Sequence, residues 1–133
     1  RLGPVISGRA RRSKEDLSAA ISALLGKTAL PDGELLALSG ASGAHAATAS
    51  ERFALGQHEN IAARAFGTLT GHMKEAQFPF AVALAALAID RKAGYPAFDA
   101  QNEKGFEGVP HSVLATAIGY HYFEGMALVS APV

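Results

Sequence analysis

Residues 67–92 read GTLTGHMKEAQFPFAVALAALAIDRK, and this stretch decides the fold. The segment 67–71, bracketed by two glycines, reads as a loop, and 72–92 as one long helix. Residues 76–89 are the longest apolar run in the chain, broken only by Gln77 and Pro79. That run is too short for a bilayer, which needs about 20 apolar residues. Asp90, Arg91 and Lys92 close it, and Gly94 supplies a stop. A helix this apolar is expected to be buried on most sides. Pro79 should kink it by removing a backbone hydrogen bond.

Working toward the N-terminus, residues 60–66 read as a short strand and 46–56 as a helix, with Phe53 and Leu55 on its buried side. Residues 34–39 (ELLALS) follow a Pro31-Asp32-Gly33 turn and read as a buried strand. Gly40, Ala41, Ser42 and Gly43 form a tight loop. This loop fits neither a phosphate-binding loop nor a G-x-S-x-G elbow, since Gly43 directly follows Ser42. Ser13, with Asp16 three residues on, marks a capped helix start. Leu17, Ile21, Leu24 and Leu25 recur at helical spacing, and Gly26 ends that helix. Residues 2–12 are a strand or an irregular lead-in.

Toward the C-terminus, residues 95–110 are a loop rich in Gly, Pro and acidic or amide residues. Residues 111–120 and 126–130 read as an antiparallel strand pair. The order is β-α-β-α-β-α-β-β. It predicts an α/β fold, a mostly parallel mixed sheet covered by helices with one long buried helix, in a single domain spanning residues 1–133.

Composition narrows the chemistry. The chain has 133 residues, 49% of them hydrophobic and only 18% charged, with a formal net charge of +0. That balance offers no bulk attraction to nucleic acid, and the apolar excess predicts a surface made to be covered. Arg9, Arg11 and Arg12 form the one local basic cluster, read as a solvated strand end. There is no cysteine, so the chain itself supplies no thiol nucleophile, disulfide or zinc thiolate site. No two of the five histidines fall at the i, i+4 spacing of a helical metal site. No metal and no cofactor are expected. The first residues lack the pattern of a signal peptide, so a cytoplasmic setting is expected. A start at Arg1 instead of Met predicts a truncated or processed chain.

His72 is the chemically interesting histidine. A histidine at a helix start presents a ring nitrogen able to polarise a carbonyl.

Residues 67–76, followed by an Ala/Leu-rich helix, resemble the Lys-Ser-x-x-Gly-His segment and helix of the β-ketoacyl-ACP synthases. Residues 93–98 (AGYPAF) are similar to that family's Gly-x-Pro-Pro-Thr connection. Ile118, Gly119 and Tyr120, with residues 125–129, resemble its Phe-Gly-Phe-Gly-Gly loop and closing strand. Residues 36–51 stand in the place of its strand, His-Gly-Thr loop and helix. The resemblance spans nearly the whole chain, in order and spacing more than in identity.

The resemblance implies the C-terminal half of a thiolase fold, two similar halves packed as a five-layered αβαβα sandwich. It implies a parent acting in acyl-chain condensation on acyl carrier protein, with the nucleophilic Cys in the missing N-terminal half. That half, a homo- or heterodimer partner and the carrier protein are the implied partners, the last meeting the arginine cluster. His72 takes the place of one of two histidines that bind the thioester carbonyl; Thr70, Gly119 and Tyr120 take substrate-binding places. The other histidine falls near Gly40, within residues 39–43, where there is none and where His45 would substitute only through a loop shift; the family lysine falls at Gly67. The glycine-rich gating loop is replaced by His121, Tyr122, Phe123 and Glu124. Loss of one oxyanion donor costs about 10²–10³ in rate. The chain alone is therefore expected to be incompetent in catalysis, whether as part of a degenerate synthase or of a silent partner of the chain-length-factor type. In the latter, Phe78 and Phe80 would shape a partner's acyl tunnel, or else simply pack in the core. An unrelated α/β binding domain that mimics the spacing is the remaining reading.

Overall fold

The computed structural model describes every residue except Arg12, Ser42, Ala44 and Val133. The elements are β1 (Ile6–Gly8), α1 (Lys14–Lys27), β2 (Leu35–Leu38), α2 (His45–Gly56) and β3 (Ile61–Arg64). Then come α3 (Gly67–Thr70), α4 (Gln77–Arg91), β4 (Ser112–Ile118) and β5 (Glu124–Ser130). The β-α-β-α-β-α-β-β order is the one expected, with α3 as a short addition where a loop was expected.

The strands form one mixed sheet in the order β1-β5-β4-β2-β3. Strand β2 pairs in parallel with β3 and β4, while β5 is antiparallel to both β4 and β1. Every strand but β5 therefore runs the same way, although parallel and antiparallel pairings are equal in number.

Helices α1 and α2 pack together on one face of this sheet, and α4 covers the other. Strand β2 shows why the sheet must be covered twice. Leu35 and Ala37 face the first layer, Leu36 and Leu38 the second, and all four are fully buried. A strand that alternates between two apolar layers reads as a continuous apolar run. On the α1 side the layer is filled by Leu17, Ile21, Leu24 and Leu25. On the other side α4 presents Ala81, Ala85 and Ala88, so its backbone lies close to the sheet. Phe66 and Phe80 meet edge to face beside it, with centroids 5.7 Å apart. No helix among the described residues is long and apolar enough to cross a membrane.

Several local expectations are corrected. Helix α4 begins at Gln77, not His72, because Gly71 (φ 70°) and Lys74 (φ 51°) take left-handed conformations that interrupt any continuous helix. A single 3₁₀ turn at Lys74–Ala76 bridges the gap. Pro79 is consequently the third residue of α4, where its missing N–H is no loss, and it forces no kink. The helix stops at Lys92 (φ 53°), whose N–H bonds the Ala88 and Ile89 carbonyls. Gly94 serves close packing instead: a Cβ there would sit 2.4 Å from the Phe106 ring.

Nor is α4 buried on most sides. Pro79, Ala83, Ala86 and Leu87 lie exposed along one stripe, and Leu87 is 45% accessible. Phe53 is also exposed, because the buried face of α2 runs through Ala47, Ser50, Glu51, Ala54 and Leu55. Helix α1 starts as expected, with Ser13 Oγ accepting from the Asp16 N–H, but passes Gly26 to be capped by Thr28.

The long loop before β4 is held by a buried cation. Arg64 is 1% exposed. Its Nε donates to the Tyr95 carbonyl (2.8 Å) and its Nη1 to the carbonyls of Lys104 (2.8 Å) and Ala63 (2.9 Å). Glu103 returns along the same loop and accepts from the N–H groups of Ala65 and Phe98. Arg64→Met keeps an unbranched apolar stem but leaves these carbonyls without their charged donor. It should cost about 3 kcal/mol of stability, read as a lowered denaturant midpoint, while Lys92→Met on the surface should cost little.

Candidate functional site

An open cleft of about 770 Å³ lies beyond the carboxyl ends of the parallel strands β2 and β4. Ligand sites of open α/β sheets form at this end. Gly40 enters from the end of β2, and Ile118 and Gly119 from the end of β4. His72, Gln77 and Phe78 approach from the α4 side, and the β4–β5 hairpin supplies a wall of aromatic rings.

Of the residues singled out from sequence, His72, Gly119 and Tyr120 line this one cleft and Thr70 does not. His72 is exposed and lies in the segment ahead of the 3₁₀ turn, so no helix start stands beside it. The Thr70 hydroxyl is turned back to the Phe66 and Gly71 carbonyls. Gly119 is fixed by the hairpin itself. Its N–H bonds the Phe123 carbonyl (2.8 Å), and a Cβ on it would lie 2.1 Å from the Tyr122 carbonyl oxygen. Tyr120 is 62% exposed and stacks edge-on against His121, which sequence reading had not placed in the site. Arg9 lies over the Tyr122 ring at 4.7 Å, so the basic strand end meets the aromatic hairpin. Arg12 and Ser42 lie outside the described residues. Among the described residues no group of three or more His, Cys, Asp or Glu side chains is arranged to hold a metal.

The positions that matter most for the resemblance are both glycines, Gly40 closed by backbone and Gly67 in tight contact with it. A Cβ at Gly40 would lie 2.4 Å from the Thr116 carbonyl oxygen and 2.5 Å from the Ala117 Cα. No side chain fits there without moving β4. A Cβ at Gly67 would lie 3.0 Å from the Ala41 carbonyl oxygen.

The strongest electrostatic feature lies directly behind the floor of the cleft. Glu51, on α2, is 1% exposed. Its Oε2 accepts from Ser39 Oγ (2.8 Å) and its Oε1 makes a short hydrogen bond with Thr116 Oγ1. The same two hydroxyls hold the floor: Gly40 N–H donates to Thr116 Oγ1 (2.8 Å) and Ala41 N–H to Ser39 Oγ (3.2 Å). Burial pushes the Glu51 carboxyl above the usual carboxylate range, against the opposing pull of the hydrogen bonds from Thr116, Ser39 and Gly40. Sequence reading missed this residue, although its place on the Ala47, Ser50, Ala54 and Leu55 stripe marks a carboxyl facing the core. Gln77 is also buried, with Oε1 accepting from Met73 N–H (3.1 Å) and Nε2 without a partner.

The chain matches no family model, no curated protein and no solved structure.

Glu51 binds its proton more tightly in the folded chain than in the unfolded one. Its contribution to stability is therefore greatest below the ordinary value of 4.5 and declines as the pH rises from there through the raised folded value. Chemical unfolding across this window should show that decline in the wild type. Glu51→Gln, which mimics the protonated group, should remove it and leave the variant at least as stable at neutral pH.

Proposed function

We propose that the chain is the C-terminal half of a β-ketoacyl-ACP synthase-like protein of the thiolase fold, whose parent acts in acyl-chain condensation on acyl carrier protein. The observation that carries the reading is convergence. His72 and the adjacent pair Gly119 and Tyr120, drawn from two segments that lie far apart in sequence and each resemble the family, line one cleft at the carboxyl ends of the parallel strands. The exposed stripe of Pro79, Ala83, Ala86 and Leu87 on α4 fits a face that a companion half would cover.

Within this reading the chain is a scaffold. The nucleophilic Cys belongs to the companion half, and His72 is the one carbonyl-binding histidine on this side. The second cannot be restored by a simple exchange, because residue 40 has no room for a side chain. A silent partner subunit of the chain-length-factor type is favoured over an active synthase by one further observation: His121, Tyr122, Phe123 and Glu124, which stand where the resemblance puts the family's glycine-rich gating loop, line the cleft with bulky side chains.

Malonyl-thioester decarboxylation and acyl transfer, assayed with the chain alone, should both be absent. The protein read from the full reading frame should carry an upstream half of the same topology. Any turnover that it supports should fall about 10²-fold in His72→Ala. An unrelated upstream sequence, or turnover by the isolated chain, would overturn the proposal.

A further inference from the structure

A single segment of three residues, Ser39 to Ala41, stands as a wall between two clefts. Gly40 lines the large cleft, while Ser39 and Ala41 line a second one of about 350 Å³, to which Thr48, Arg52 and Thr68 also contribute. The wall is not part of the sheet ladder beyond Ser39, whose N–H bonds the Arg64 carbonyl (2.9 Å). The next two amides, of Gly40 and Ala41, are held instead by the hydroxyls of Thr116 and Ser39. Both hydroxyls are in turn bound to Glu51.

We propose that Ser39, Gly40 and Ala41 form a proton-operated gate between the two clefts, held shut by the hydrogen bonds that join Glu51 on α2 to Thr116 on β4.

The geometry accommodates the protonated carboxyl fully. With the proton on Oε1, Glu51 donates to Thr116 Oγ1, and the Thr116 hydroxyl turns to the Leu38 carbonyl, 3.4 Å away. Oε2 still accepts from Ser39, and Thr116 still accepts from Gly40 N–H. Deprotonation leaves an anion in a buried site. Water is then drawn in, and the wall is the part of its surroundings least tied to the sheet.

Among the described residues no opposing charge relieves that anion. Helix α1, packed on α2, carries Lys14, Glu15, Asp16 and Lys27, all exposed. Strand β3 carries Arg64, whose guanidinium is bound to loop carbonyls, and β4 carries no ionisable side chain. On α2 itself His45 and Arg52 are exposed, the latter bonded to Asn102. The proton equilibrium of Glu51 is set by burial and by its hydrogen bonds.

The wall also has somewhere to go. The Ala41 carbonyl oxygen and Gln77 Nε2 lie 3.0 and 3.8 Å from the point that a Cβ on Gly67 would occupy. Both therefore border the space left by that missing side chain. Nε2 is a buried donor with no partner, which a shifted Ala41 carbonyl can satisfy. The gate operates whatever the clefts bind.

Amide hydrogen exchange, followed by NMR upward from below pH 4.5 through the pH at which the Glu51 carboxyl carbon signal titrates and corrected for intrinsic rates, reads the gate directly. Protection of the Gly40 and Ala41 amides should fall about tenfold or more as Glu51 loses its proton, while the Ser39 amide stays protected. In Glu51→Gln the fall should vanish, since the amide can both donate to Thr116 and accept from Ser39. In Thr116→Val the Gly40 amide should be poorly protected at every pH. Constant Gly40 and Ala41 protection in the wild type, the same fall in Glu51→Gln, or full Gly40 protection in Thr116→Val would each overturn the gate.

Discussion

The close approach of Gly40 to β4 governs much of what the molecule can be. Strands β2 and β4 pair in parallel through Leu36, Ala37 and Leu38. Just past this register the chain continues so near β4 that residue 40 has no space for a Cβ. Only glycine allows the contact, and the contact brings the Gly40 amide to Thr116 and the Ser39 hydroxyl to Glu51. The floor of the large cleft and the burial of the carboxyl behind it thus follow from one packing decision.

That decision separates the chemistry of this cleft from the chemistry its resemblance implies. An acyl-transfer site with two carbonyl-binding histidines needs a side chain where this fold places backbone against backbone. What remains is a mouth lined by His72 and by aromatic rings, with a protonatable carboxyl beneath the floor.

The order of elements was legible because each rests on a strong local pattern. Leucines at helical spacing gave α1, and the short apolar run gave β2. The Ser13 cap was readable from two residues. The start of α4 was not, because Lys74 adopts a left-handed backbone that its residue type does not announce. The continuous apolar run also concealed that Ala81, Ala85 and Ala88 are the helix's fully buried apolar residues while Pro79, Ala83, Ala86 and Leu87 lie exposed. His72, Gly119 and Tyr120, taken from the resemblance, line one cleft at the end of the sheet. Thr70 was displaced by a one-turn helix that bends its hydroxyl back onto the backbone. Glu51, Thr116 and Arg64 were missed for a common reason. Their roles arise from partners distant in sequence, and only the sheet order makes those partners neighbours.

The central claim is that α4 faces a companion half. The chain contains no cysteine of its own, so Leu87→Cys places a single thiol of this chain on the exposed stripe. Labelling by a thiol reagent, read from the peptide containing residue 87, compares the isolated chain with the protein made from the full reading frame. The account predicts rapid labelling in the isolated chain and strong protection in the full protein. Equal labelling in both would contradict it.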